Sequence, residues 1–241
     1  YGTQKKADMT GSISSLKSSD ITKQPAMSAM QSIQGKAAGI NIIANEAPGS
    51  SPNVIVRGLG TALGGRNPLY IVDGIAQTDI NNINPSDIES MDVLKDASSA
   101  SIYGLRAANG VILVTTKKGK TGTLSINYES YAGMKKILNR VKMANGEQFR
   151  TFFNESQKYQ DQDKRWLLSE NQHNDTDWYD ELIKTGTVFN NAVNISGGTE
   201  KVDYFVSANN FTENGILDGS KYVRNTIRNN NIYKFLDNRL K

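Results

Sequence analysis

The apolar residues of this chain change their spacing near residue 120, and that change restricts the folds open to it. Before that point they come in short runs closed off by Gly, Pro, Asn or Asp; after it they alternate with polar residues over longer stretches. Short closed runs suit strands inside a compact sheet. Long alternation suits strands with one wet and one dry face. The sequence therefore divides into residues 1–120 and residues 121–241.

In the first part, Met27, Met30, Ile33 and Ala37 lie near one face at helical spacing, which predicts a helix over residues 26–38 that Gly39 stops. Residues 40–44 turn to β. Pro48 to Pro52 form a loop, and residues 53–57 are a short β-branched strand. Residues 58–67 carry four glycines and read as a loop. Residues 68–73 are a strand ending in the tight-turn pair Asp73-Gly74. Asn84 caps a helical turn that starts at Pro85, and residues 90–94 form a strand. Asp96 caps a helix over residues 97–103 that Gly104 ends. Val111 to Thr116 is continuously apolar before its two threonines, as expected of a strand covered on both faces. The first part thus predicts an α+β domain, one small mixed sheet with two short helices.

In the second part, residues 123–134 alternate, with Ile126 and Tyr128 opposite Asn127, Glu129 and Tyr131. Residues 137–187 are polar and partly helical, for instance over residues 146–158. Residues 190–196 alternate again, extendable back to Val188. Gly197 to Lys201 is a short turn, residues 202–212 a strand, residues 214–224 a loop and residues 226–235 a last strand. A membrane-crossing β strand needs about 9–11 residues. The long, short, medium order of the connections matches a barrel with short periplasmic turns and longer outer loops. Tyr128, Tyr131, Tyr204, Phe205, Phe211, Tyr233 and Phe235 fall in these strands, where they suit either an interfacial girdle or ordinary sheet packing.

Composition removes several chemistries. There are 28 Lys and Arg against 24 Asp and Glu, and the basic residues form no stripe beyond short runs such as Lys117-Lys118-Gly119-Lys120, so nucleic acid is not expected as a partner. There is no cysteine and a single histidine, His173, which leaves no disulfides, no thiol chemistry and no His-rich metal site. No run of apolar residues is long enough for a membrane helix. No cofactor is expected.

Local motifs add little chemistry. Gly58-Leu59-Gly60 follows a strand, but Leu63 stands where a dinucleotide fingerprint needs its third glycine, and Asn67-Pro68 leads into a strand rather than a helix. Asp175, Asp177, Asp180 and Glu181 supply oxygens of the kind calcium takes, without the central glycine of a helical calcium loop; a solvated face and a calcium site both stay open here. Asp73, Asp87 and Asp96 occupy turn or cap positions that account for them. With one histidine and no paired carboxylates in view, no enzyme activity is expected.

Several motifs in order carry a resemblance. They are Gln34-Gly35-Lys36-Ala37-Ala38-Gly39-Ile40, then Arg57-Gly58, then Asn67-Pro68-Leu69-Tyr70-Ile71-Val72-Asp73-Gly74. Asn84-Pro85-Ser86-Asp87-Ile88-Glu89-Ser90 follows, then Val93-Leu94-Lys95-Asp96-Ala97, Ile102-Tyr103-Gly104 and Ala108-Asn109-Gly110-Val111-Ile112. Together they resemble the plug of SusC/RagA-type TonB-dependent outer-membrane transporters. Asp177-Trp178 and Ser196-Gly197-Gly198-Thr199-Glu200 resemble the first barrel segments more loosely. Lys36 stands where the family commonly has Arg, and Ile33 where Leu is common.

The resemblance implies a plug over residues 1–120, facing the periplasm, and about four strands with outer loops of a transmembrane β-barrel over residues 121–241. It implies TonB-driven import of an oligosaccharide or peptide across a bacterial outer membrane, with a SusD-like surface lipoprotein as lid and membrane lipid outside. A full barrel of this type closes about 22 strands, so the resemblance also implies a fragment, with the TonB-engaging segment upstream of Tyr1. Gly58, Gly60, Gly64, Gly65, Arg66 and Asn67 are the expected cargo-facing plug loop, because glycines let backbone amides approach a ligand. The alternative is a soluble module that binds a partner through an exposed sheet edge.

Overall fold

The computed structural model describes residues 13–23, 26–56, 58, 67–96, 100–160, 168–169 and 175–235. It contains a five-stranded sheet, a two-stranded sheet and a four-stranded sheet.

The five-stranded sheet is built from β1 (Ile13–Lys17), β4 (Leu69–Val72), β5 (Ile75–Gln77), β6 (Ile88–Leu94) and β7 (Val111–Thr116), in the order β1-β6-β7-β4-β5. It is mixed: β4 and β7 pair in parallel and the other pairs are antiparallel. The central strand explains its own composition. Ile112 and Val114 enter one apolar cluster, with Met30, Ile33, Val54, Ile80, Ile88 and Met91. Val111 and Leu113 enter the other, with Leu69, Ile71, Leu94 and Ala107. Both faces are therefore covered, which is why this strand lacks polar alternation. Pro85–Asp87 forms the expected 3-10 turn, with the Asn84 side chain accepting from the Ser86 N–H.

Four features depart from the reading of the sequence. The helix expected over residues 26–38 is only α2 (Ala29–Ser32), capped by Ser28. Gly35 and Gly39 take positive φ and fold the chain into turns, so Ile33 and Ala37 reach the core without a continuous helix. The β structure is not one sheet: β2 (Ile40–Ile43) and β3 (Asn53–Val56) pair only with each other. The sequence reading also passed over β1 and the one-turn helix α1 (Ser18–Ile21). Residues 97–99 lie outside the described residues. Downstream of them a 3-10 segment, Ser101–Ala107, continues past Gly104, which kinks it with φ 69° instead of ending it.

The four-stranded sheet, order β11-β10-β9-β8, is antiparallel throughout: β8 (Gly122–Lys135), β9 (Gly186–Gly198), β10 (Val202–Asn214) and β11 (Lys221–Tyr233). The strands run longer than their alternation alone indicated, and the loop expected over residues 214–224 shrinks to residues 215–220. Thirteen residues span roughly 45 Å along a strand, enough to cross an apolar band of about 25 Å at barrel tilt. Between β9 and β10 the Thr199 hydroxyl accepts from the N–H groups of Lys201 and Val202, which fixes the tight turn. The long connection from β8 to β9 holds α3 (Gly146–Gln160) and α4 (Trp178–Leu182). Its end is tied to the β10–β11 loop by the Lys184 N–H to Ile216 carbonyl and Asp218 N–H to Leu182 carbonyl bonds.

Candidate functional site at the contact between the sheets

Alternation decides the chemistry of each face of the four-stranded sheet. One face carries Leu124, Ile126, Tyr128, Met134, Phe189, Val193, Ile195, Val206, Val223, Ile227 and Tyr233, all exposed. Register lines them up: Tyr128, Val193, Ala208 and Ile227 form one row across all four strands. A polar row, Ser130, Asn191, Asn210 and Asn225, interrupts this face. Its members bond sideways, Ser130 Oγ to Asn191 Oδ1 at 2.8 Å and Asn210 Nδ2 to Asn225 Oδ1 at 2.6 Å.

The opposite face meets the N-terminal part of the chain, and it does so through polar groups at three levels of the β10–β11 ladder. At the level nearest the β9–β10 turn, Ser207 sits opposite Arg228. The Ser207 hydroxyl donates to Asp87 Oδ2 at 2.8 Å. Arg228 Nη2 donates to Asp73 Oδ2 at 2.8 Å and to Thr116 Oγ1 at 2.6 Å. Asp73 in turn accepts from the Thr116 N–H and hydroxyl. At the middle level, Arg224 opposes Phe211, lies 5.3 Å above its ring and donates to the Asn81 carbonyl. At the third level, Glu213 opposes Tyr222. Glu213 is 1% exposed; it accepts from Lys135 Nζ and, at 3.3 Å, from the Gly49 N–H. The three levels span seven residues of β10, from Ser207 to Glu213, about 20 Å.

Two local geometries hold the contact. Asp73 takes φ 48° in its turn with Gly74, a conformation Asp tolerates better than bulkier residues. That turn brings its carboxylate to the end of β7 and to Arg228. Gly49 has φ +73°, and a Cβ on it would sit 2.3 Å from the Tyr222 ring. Only glycine lets the loop approach this closely.

The electrostatics are those of a separable interface. Burial pushes the Asp87 carboxyl above the ordinary aspartate value, while the Ser207 hydroxyl, Arg228 and Lys117 pull it back. Asn84 Nδ2, Ser86 Oγ and Asp87 Oδ1 on one side, with Asn209 Oδ1, Thr226 Oγ1 and the Nε atoms of Arg224 and Arg228 on the other, are buried without a protein partner. Buried polar atoms of this kind call for ordered water. A contact made of ion pairs, single hydrogen bonds and hydration exchanges its partners more cheaply than an apolar core.

The expected cargo loop is only partly within the described residues. Gly58 and Asn67 are exposed; Gly60, Gly64, Gly65 and Arg66 lie outside. The acidic group in the long connection is otherwise engaged. Asp175 accepts from the Gly146 N–H, Asp177 caps α4, and Asp180 pairs with Arg140 at 2.6 Å. Among the described residues no three His, Cys, Asp or Glu side chains are placed to hold a metal ion. His173 lies outside them.

Sequence reasoning missed the contact itself. Asp73 and Asp87 read as turn and cap residues, which they are, and their second role is invisible locally. The available signal was on the wall. Arg228 and Glu213 are charged residues in the same phase as Phe205 and Phe211, the phase that turns away from the outward apolar residues. Arg224 was hidden because β11 begins earlier than expected.

Comparison with known proteins agrees with this architecture. A family model described as "TonB-dependent Receptor Plug Domain" matches residues 5–111. TonB-dependent receptor P26 of Formosa agariphila is 37% identical, over 95% of this chain and 24% of its own length. TonB-dependent receptor SusC of Bacteroides thetaiotaomicron is 34% identical, over 100% of this chain and 24% of its own. The chain thus spans about a quarter of the length of these curated relatives. The RagAB peptide importer in its open-open state superposes with a TM-score of 0.77 at 28% identity, covering 98% of this chain and 30% of that one. The siderophore receptor PirA from Pseudomonas aeruginosa shares the fold, with a TM-score of 0.57 at 16% identity over 95% of this chain and 33% of its own. With plug motifs in order, a mixed sheet followed by long antiparallel strands, and these relatives, the chain belongs to the TonB-dependent receptors of the SusC/RagA type.

Proposed function

We propose that the chain is the gating part of an outer-membrane nutrient importer. Residues 1–120 act as the plug and residues 121–241 begin the barrel wall. Import is TonB-driven, a SusD-like lipoprotein covers the outer side, and the cargo is an oligosaccharide or peptide. The observation that carries this reading is the two-sidedness of the four-stranded sheet. Its apolar face suits lipid, and its polar face holds the plug through exchangeable bonds. A soluble module would instead leave Tyr128, Met134 and Ile227, at 70%, 78% and 84% exposure, in water. The likeness to a peptide importer supports peptide among the cargoes. Nothing in the site offers turnover chemistry, so the reading is transport rather than catalysis.

The same contact supports an orientation. Asp73 ends β4 beside the wall level nearest the β9–β10 turn, which this reading puts on the periplasmic side. Asn67, which is exposed, precedes β4 at its other end, where the Leu69 N–H bonds the Gly110 carbonyl. That supports a cargo-facing role for Gly58, Gly60, Gly64, Gly65, Arg66 and Asn67.

The test uses the full-length transporter. Residues 1–241 contain no cysteine, so Asp87→Cys with Ser207→Cys, in a background whose remaining cysteines are replaced by serine, gives a pair that a short bis-thiol reagent can bridge. Uptake of labelled oligosaccharides and peptides is then followed in cells with and without TonB. The expected result is TonB-dependent uptake that bridging abolishes. Uptake that survives bridging sinks the gating role, and uptake indifferent to TonB sinks the class. Arg66→Ala with unchanged affinity and uptake removes the loop assignment alone.

A further inference from the structure

The basic run Lys117-Lys118-Gly119-Lys120 forms the linker from plug to wall, and its three lysines line a cleft of about 420 Å³ between the plug, this linker and the inner face of the wall. That volume falls within the usual range for ligand clefts, about 300–1,000 Å³.

The linker is held rigidly enough for its lysines to have fixed bases. Lys117 donates its N–H to the Asp87 carbonyl at 2.8 Å. Gly119 is buried against β10: a Cβ there would lie 2.4 Å from both the N and the O of Tyr204. The residues on either side, Lys118 and Lys120, are exposed. Among the described residues none of the three lysines forms a salt bridge. One acid, Glu89, shares the cleft with them, so the balance is positive.

The wall side is neutral and polar. Asn127 and Asn194 face the cleft and bond each other at 3.1 Å. Ser125 and Ser196 add hydroxyls. These strands show the cleft their inner face, opposite Ile126 and Ile195, so a lipid headgroup does not reach it under the proposed membrane placement. Ammonium groups on flexible stems attract an anionic oxygen group without demanding one geometry. Several weak sites in place of one tight site let a passing group leave again.

We propose that this cleft is an anion-binding station beside the periplasmic end of the wall, which takes a carboxylate or sulfate group carried by the cargo. The inference rests on the transport reading for its direction, but its test does not. Purified full-length protein is titrated calorimetrically with tri-galacturonate, with the peptide Glu-Glu-Glu, and with the neutral controls maltotriose and Gly-Gly-Gly. The expected result is binding of at least one acidic probe above its neutral control, weakened by added salt. The same titration on Lys117→Gln/Lys118→Gln/Lys120→Gln should be weaker by about tenfold, the size expected if three partly exposed charges contribute roughly 0.5 kcal/mol each. Binding of only the sugar acid, or only the acidic peptide, supports the station and names the source of the anion. Equal affinity in parent and triple variant overturns it, as does the failure of both acidic probes to bind better than their neutral controls. Lys118→Glu, a single exposed change, repeats the test if the triple variant loses its β circular-dichroism signal. Because no TonB is needed, loss of uptake with intact probe binding would sink the transport reading and leave the station standing.

Discussion

The plug sheet and the wall sheet are both β structures of this one chain, and they put their apolar side chains on opposite sides. In the plug, Ile112, Met91 and Ile88 are fully buried. In the wall, Ile227 and Tyr128 are exposed while Glu213, Asn190 and Asn209 are buried. Burial therefore predicts stability in the first region and function in the second. A substitution that is disastrous in one should be mild in the other.

The largest expected effect breaks the plug. Ile112→Ala removes a branched side chain from a strand packed on both faces, a change that costs about 2–5 kcal/mol. Val193→Ala, in the outward row of the wall, should cost well under 1 kcal/mol, because that side chain packs against its surroundings and not into a core. Urea midpoints of the two variants in the full-length protein give the comparison directly. Equal losses would mean that the wall's outward face is packed like a core.

The next effect sharpens the wall. Ile227→Lys puts a cation on the outward face next to Arg228, which points inward and is already charged. On the lipid side near the midplane a lysine costs about 2–4 kcal/mol. The expected outcome is failed insertion into bilayers for Ile227→Lys, whereas the natural cation one residue away is tolerated. Normal insertion of the variant would put Ile227 outside the lipid-facing band.

The same contrast explains what the sequence disclosed. Periodicity is a local signal, so the central strand at Val111–Thr116, the Asn84-Pro85 turn and the four alternating wall strands were all legible. Strand β1 was not: Ile13–Lys17 is a short edge strand that forms because β6 offers it a partner across a long stretch of sequence. The spacing of Met30, Ile33 and Ala37 imitates a helix over residues 26–38 because all three are buried, while Gly35 and Gly39 bend the backbone. The plug–wall contact was the least legible part. Asp73 is sufficiently explained by its turn and Asp87 by its 3-10 segment, and only the fold brings Arg228 and Ser207 to them. A charged residue in the inward phase of a strand, such as Glu213, was the one sequence-level clue to a lumen contact.

The smallest expected effect lies where the two regions meet, and it has a sign. Burial raises the folded-state value of Asp87 above its ordinary 3.8. Between those two values the folded protein keeps a proton that the unfolded chain has released, so this group's contribution to stability is greatest below the unfolded value and declines as pH rises through the folded one. Burial works against the charged form of this carboxyl. Asp87→Asn removes that charge and keeps an oxygen to accept the Ser207 hydroxyl. The variant should be at least as stable as the parent at pH 7, and the difference should vanish as pH falls toward 3.8. Paired thermal melts of the full-length protein across that range measure it. A variant that loses stability at pH 7 and recovers it in acid would mean that Arg228 and Lys117 outweigh burial, making Asp87 a true ionic partner of the wall. The plug would then be held at this level by attraction between charges, and high salt should loosen it.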